Sequence, residues 1–160
     1  MNLDVARTLF ETGRSHALSC VLLYRASISE GERNRVSDTE LFAFNGPHSL
    51  SVHYLLGLGL ELMLKAAMIM SGGPFDRKSL LDIGHDLTKA LDEAEKVGFR
   101  SNAPRLAHIV QVMREPYKAH WLRYDRPEEF QLPGDFEQII EALEVLDEEL
   151  RARLWGDEPR

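Results

Sequence analysis

The segment that most constrains the fold is residues 49–70, which is apolar almost all round a helix and carries only two charged side chains, Glu61 and Lys65. Two glycines and a proline follow at positions 72–74, where a helix cannot continue. A helix without a polar face is normally buried on all sides. The most apolar part, residues 54–70, contains both charges and is shorter than the roughly 20 residues of a membrane span. We therefore expect a buried core helix and no membrane span.

Helical periodicity and capping signals extend over most of the remaining chain. In the first half of the chain they predict a helix over residues 3–28 and a short helix after residues 37–40. In the second half they predict a helical turn at 78–82, a helix from about 84 to 98, and a helix that opens at 101–104 and is kinked or ended by Pro116. The last predicted element is an acidic helix over about 135–155, capped by Asp135 and Gln138. No segment has the alternation of a strand. The sequence predicts an all-α fold, an antiparallel up-and-down bundle of about five helices.

Length and composition indicate one globular domain over residues 1–160, with 44% hydrophobic and 28% charged residues. The single cysteine, Cys20, lies among apolar residues and allows no disulfide within the chain. The N-terminus has no basic stretch before an apolar run, so we expect a cytoplasmic protein.

The net charge of −7 is unevenly distributed. Residues 1–127 carry 16 Lys and Arg against 15 Asp and Glu, whereas residues 128–158 carry 11 acidic residues against two arginines. The acidity therefore belongs to the C-terminal helix. It is typical of a solvated helix face, and a basic partner protein is the alternative interpretation.

The charges on the core helix need partners, because an unpaired buried charge is costly. His85 and Asp86 lie at the predicted start of a later helix. We expect Glu61 or Lys65 to contact His85 or Asp86 in a structural polar cluster; the alternative places these groups unpaired at the rim of the bundle.

The glycines at positions 57 and 59 favour close approach of a neighbouring helix or of a second subunit.

These segments resemble a known family. A helix with Glu61-x-x-x-Lys65-Ala66, a break of small residues, and Gly84-His85-Asp86-Leu87 opening the next helix is similar to the HEPN family of helical-bundle domains. The resemblance covers about residues 50–124. It implies a helical bundle and a homodimer. In ribonuclease members of the family it also implies an Arg followed, after four to six residues, by a His.

Arg114 and His120 have this spacing and are the catalytic pair that the resemblance implies. An Arg stabilises charge on phosphorus and a His transfers the proton, so neither a metal nor a cofactor is expected. On an unbroken helix the two side chains would lie about 120° apart and about 9 Å apart along the axis. A bend at Pro116, or a cleft shared by two subunits, would bring them together. Glu115 stands where catalytic members commonly carry Asn, and its charge would repel a phosphate.

Cationic and aromatic side chains alternate around this pair, a pattern that suits single-stranded RNA. The predicted RNA-binding residues are Lys118, Trp121, Arg123, Tyr124 and Arg126. In the alternative interpretation, the aromatic residues cover the end of the bundle and the arginines pair with the acidic C-terminal helix.

The leading functional hypothesis is a metal-independent RNA endonuclease of a toxin–antitoxin or defence system, with an antitoxin as a partner. The alternative is a catalytically inactive HEPN module that homodimerises and binds a protein or nucleotide partner, such as a nucleotidyltransferase-type protein. A third hypothesis is an unrelated all-α protein. The six histidines show no paired spacing for a metal site.

Overall fold

The computed structural model describes residues 2–118 and 135–156, and the regular structure within these ranges is entirely helical. The predicted all-α fold class is confirmed. The helices are α1 (Leu3–Arg33), α2 (Thr39–Asn45), α3 (Ser49–Met70), α4 (Arg77–Ile83), α5 (Leu87–Lys96), α6 (Leu106–Lys118) and α7 (Phe136–Trp155).

Helix α3 lies at the centre of the bundle and packs against α1, α2, α5, α6 and α7. By length and composition α3 could cross a membrane, but 78% of its most apolar window is buried inside the structure. Its apolar side chains therefore form the core, as the absence of a polar face predicts. The two charged residues of α3 are buried with them.

Helices α1 and α3 approach each other closely through glycine. A Cβ atom at Gly13 would lie 2.9 Å from the carbonyl oxygen of Gly59, and a Cβ at Gly59 would lie 3.0 Å from the backbone nitrogen of Ala17. Any larger side chain at Gly13 would push the two helices apart, because real Cβ contacts are longer than this. Gly59 thus allows the close approach of a neighbouring helix in the same chain, which is one of the two roles predicted for it.

Helix α1 is longer than predicted and ends at Arg33 instead of residue 28. The buried face of α1 that includes Tyr24 and Ser27 continues past Ile28 to Gly31, within an otherwise charged sequence. These residues recur at the helical spacing of three to four and keep one face of the helix against the bundle. Small and polar residues on that stripe carry no apolar signal, which is why the extension was not predicted.

Helix α6 begins later than predicted and runs through Pro116. It begins at Leu106 rather than near residue 101, because Ser101 and Asn102 donate hydrogen bonds to the carboxylate of Glu149 on α7, the Asn102 amide at 2.6 Å. The helix does not end at Pro116 but continues to Lys118.

Helix α7 is attached to the bundle by polar contacts as well as by its apolar stripe. The Glu40 carboxylate accepts from the backbone amide of Phe136 at 3.0 Å, and the ring of Phe136 stacks on Tyr24 at 3.6 Å. Arg14 of α1 pairs with Asp147 of α7 at 2.8 Å. Part of the acidic face is thus used within the chain.

Candidate functional site

A buried carboxylate, that of Glu61, connects α3 with α6 and with the start of α5. Its side chain is only 4% exposed. One oxygen accepts from Lys65 Nζ at 2.6 Å, and the other accepts from Tyr117 OH at 2.6 Å and lies 2.9 Å from His85 Nδ1. We call Glu61, Lys65, His85 and Tyr117 the Glu61 cluster. The contact between Glu61 and His85, expected from the sequence, is present in the structure.

Lys65 connects the core helix to the turn between α4 and α5. Its ammonium group donates to Glu61 and, at 3.0 Å, to the backbone carbonyl of Gly84. Gly84 has a φ of 63°, in the left-handed region that favours glycine. The ion pair and this hydrogen bond together satisfy a cation that is almost fully buried, as burial of a charge requires. Lys65 therefore fixes the position of the segment that carries His85.

The Glu61 carboxylate stays ionised despite its burial. Burial alone would raise its pKa, but the hydrogen bonds from Lys65, Tyr117 and His85 outweigh that effect and lower the pKa of Glu61 below its ordinary value. The cluster therefore contains a buried negative charge that faces the Lys65 ammonium.

Tyr117 belongs to this cluster, although its contact with Glu61 was not predicted from the sequence. Its ring lies directly against Gly57 of α3, where a Cβ atom would come within 2.3 Å of Tyr117 Cδ2. Gly57 is one helical turn before Glu61, so the missing side chain opens the space through which the Tyr117 hydroxyl reaches the carboxylate. The signal in the sequence was a glycine one turn from a buried acid.

A second carboxylate, Asp86, caps the N-terminus of α5. It accepts from the Thr88 hydroxyl at 2.7 Å and from the Lys89 backbone amide at 3.2 Å. It also accepts from Lys118 Nζ at 2.7 Å, and both of its oxygens face Arg114, with Nε and Nη2 each 3.4 Å away. We call Asp86, Arg114 and Lys118 the Asp86 cluster.

The Asp86 carboxylate is likewise held in its charged form. Burial would raise its pKa, but hydrogen bonds from Lys118, Thr88 and the Lys89 amide, together with Arg114, hold the pKa of Asp86 well below its usual range. A carboxylate at a helix N-terminus is also favoured by the helix dipole. Two cations of α6 are therefore anchored to the first turn of α5.

Arg114 is oriented by Asp86 without being enclosed, since 36% of its side chain remains exposed. The Glu115 carboxylate lies 3.7 Å from Arg114 Nε and is 61% exposed. Arg114 thus faces two acids, neither of which belongs to α7. The predicted pairing of arginines with the acidic C-terminal helix does not occur at this residue.

His85 lies at the surface of the Glu61 cluster. Its side chain is 47% exposed, in contrast to the buried carboxylate that it contacts. The Tyr117 ring packs edge-to-face against the imidazole, with ring centroids 5.8 Å apart and planes at 87°. Because a charged carboxylate accepts hydrogen bonds and cannot donate them, we assign the proton of the neutral ring to Nδ1.

The remaining predicted site residues fall outside the described ranges. They are His120, Trp121, Arg123, Tyr124 and Arg126. The structure therefore gives no geometry for the Arg114–His120 pair, and the pair stays a prediction. Within residues 2–118 and 135–156, no three His, Cys, Asp or Glu side chains are grouped as metal ligands would be.

Comparisons with known proteins found no relative. No family model matches the chain, and no curated protein or solved structure matches it.

Proposed function

We propose that the chain is an HEPN-like antiparallel helical bundle that cleaves single-stranded RNA without a metal, with Arg114 and His120 as the catalytic pair. The observation that carries this proposal is the position of Arg114. It is anchored to Asp86 at one side, partly exposed at the other, and one helical turn from Lys118, which shares the same anchor.

An anchored but accessible guanidinium suits phosphoryl chemistry. A group that stabilises charge in a transition state contributes most when it is already oriented before the substrate binds. The contacts of Arg114 Nε and Nη2 with the two Asp86 oxygens restrict its orientation. A planar guanidinium recognises the oxygens of a phosphate through several N–H groups at once.

The proposed reaction is an internal transesterification. The ribose 2′-oxygen attacks the adjacent phosphorus, the bond from phosphorus to the 5′-oxygen breaks, and the products carry a 2′,3′-cyclic phosphate and a 5′-hydroxyl. His120 transfers a proton to the leaving 5′-oxygen, and Arg114 stabilises the charge on the five-coordinate phosphorus. The proposal includes a homodimer with two such sites facing one cleft, and a cytoplasmic toxin or defence role with an antitoxin as partner.

A second candidate function is a catalytically inactive HEPN module that binds a partner protein. The observation in its favour is that Arg114 faces both Asp86 and Glu115. Two carboxylates beside one guanidinium compensate its charge and lower its affinity for a phosphate. In this case Arg114 is a structural residue of the α5–α6 contact.

Cleavage of single-stranded RNA in EDTA separates the two candidates. The proteins to compare are the wild type, Arg114→Ala and His120→Ala, with Arg77→Ala and His108→Ala as matched controls at exposed positions. We expect the wild type and both controls to cleave, and each catalytic variant to lose at least about 100-fold in rate. Equal loss in the controls, or no cleavage by folded wild type at high enzyme concentration, contradicts the nuclease proposal and favours the binding module.

A further inference from the structure

The Glu61 cluster has a chemical feature that a purely structural ion pair does not need. Glu61 and Lys65 already form a close pair at 2.6 Å, so the charge of the buried carboxylate is compensated without His85. The carboxylate nevertheless also holds an imidazole whose side chain is 47% exposed. A buried acid that orients a surface histidine is the arrangement by which proteins fix a proton-transferring imidazole.

The hydrogen bond from Nδ1 determines which nitrogen acts. With the Nδ1 proton held by Glu61 at 2.9 Å, Nε2 is the basic nitrogen of the neutral ring. When Nε2 takes up a proton, the imidazolium keeps its hydrogen bond to the Glu61 carboxylate, which stabilises the charge formed. The Tyr117 ring against the imidazole limits its rotation.

The position of His85 relates this imidazole to the proposed phosphate site. Its neighbour in the chain, Asp86, is the residue that anchors Arg114 and Lys118. Tyr117, which contacts the imidazole, lies on α6 between these two cations. A half-exposed imidazole and a partly exposed guanidinium are therefore held at the same junction of α5 with α6, by two different carboxylates.

We propose that His85 is a proton-transfer residue for RNA phosphodiesters at this junction, with Glu61 as its positioning residue. The inference rests on the proposed function and adds a catalytic residue to it. His85 Nε2 accepts the proton of the ribose 2′-hydroxyl as the 2′-oxygen bonds to phosphorus and the bond from phosphorus to the 5′-oxygen breaks. The leaving oxygen takes its proton from His120, which regains one from solvent, and the His85 imidazolium returns one proton to solvent, so atoms and charge balance.

The test compares RNA cleavage rates of the wild type, His85→Ala and the control His108→Ala, with and without free imidazole. His85 is half exposed, so its truncation leaves the bundle folded, which circular dichroism checks. We expect His85→Ala to lose about 100-fold or more in kcat and to regain part of it with imidazole but not with an equal concentration of a salt. A purely structural role for His85 gives no rescue by imidazole.

Glu61→Gln, combined with Lys65→Met so that no buried ammonium is left without its counter-ion, provides the readout for positioning. The amide keeps an acceptor for Nδ1 but removes the charge that stabilises the imidazolium, so we expect kcat to fall while KM is unchanged. Full activity of His85→Ala beside an active wild type overturns the assignment of His85 and leaves the proposed nuclease intact. An inactive wild type overturns the nuclease and this inference together.

Discussion

Substitution of Gly57 by alanine tests how the Glu61 cluster is assembled. The new Cβ would lie 2.3 Å from Cδ2 and 2.7 Å from Cγ of Tyr117, so the ring has to move by about 1 Å or more to reach normal contact. That movement breaks the 2.6 Å hydrogen bond from the Tyr117 hydroxyl to Glu61. The substitution thus perturbs packing and the polar cluster together.

The expected loss in the free energy of unfolding is about 3 kcal/mol. Overpacking of a core contact costs about 1–3 kcal/mol. Loss of a hydrogen bond to a charged group adds about 1.5–3 kcal/mol. The higher helix propensity of alanine than of glycine stabilises the folded state by about 1 kcal/mol and offsets part of this loss. These values are measured by urea unfolding followed by circular dichroism.

A double-mutant cycle with Tyr117→Ala isolates the cause. Once the ring is absent, Gly57→Ala meets no obstacle at this contact and should stabilise the protein by up to about 1 kcal/mol. Tyr117→Phe, which keeps the ring and removes the hydroxyl, measures the hydrogen bond alone. The reasoning is refuted if Gly57→Ala unfolds within about 0.5 kcal/mol of the wild type, or if its effect is the same in both backgrounds.

Three further predictions concern the buried charges. Lys65→Met leaves Glu61 buried without its cation and should destabilise the fold by about 3–5 kcal/mol in urea unfolding. The double variant with Glu61→Gln should recover part of this loss, because it removes the uncompensated charge. Burial lowers the pKa of His53 to about 4. The unfolded value is near 6.5, so stability should decrease by about 3 kcal/mol as pH falls from 6.5 to 4, and His53→Gln should lose this dependence in unfolding curves across that range. The pKa of Asp86 is lowered by folding, so its carboxylate stabilises the fold at pH values above its unfolded-state pKa of about 3.9. Asp86→Asn should therefore cost about 1–2 kcal/mol of unfolding free energy at pH 7. In thermal melts, the difference in melting temperature between Asp86→Asn and the wild type should disappear as acid protonates the wild-type carboxylate.

The fold class followed from local patterns, because the core helix and its neighbours show helical periodicity without a competing strand signal. Helix ends were harder to predict. The extension of α1 past residue 28 depends on Gly31 packing against Thr39 and Phe42 of α2, and the late start of α6 depends on Glu149, 47 residues away from Asn102. Such long-range contacts leave no mark on the local sequence.

The site was predictable as far as charge neutralisation required. A carboxylate and an ammonium on an apolar helix need partners, and His85 and Asp86 were the predicted ones; His85 contacts Glu61, whereas Asp86 pairs with Lys118 and Arg114 instead. The contact of Tyr117 with Glu61 was not predicted, since it depends on how α6 lies across α3. That register is set by the absence of a side chain at Gly57, which the sequence indicated only as room for some neighbouring helix.

Arg114 illustrates the same limit. The resemblance to the HEPN family implied phosphate chemistry for Arg114 and His120, and the acidic C-terminal helix offered an alternative partner. The structure instead pairs Arg114 with Asp86, an N-capping residue whose local role was evident but whose second role depends on tertiary packing. A cap that also anchors two cations cannot be identified from either segment alone.

The most direct test of the proposed function is the requirement for the ribose 2′-hydroxyl. The cleavage position in a single-stranded RNA is mapped in EDTA, and the same RNA is then made with one 2′-deoxy nucleotide on the 5′ side of that position. Attack by the 2′-oxygen predicts a 2′,3′-cyclic phosphate on the unmodified product and no cleavage of the modified RNA at that position. Continued cleavage of the modified RNA by wild type would show that water is the nucleophile and would contradict the proposed chemistry.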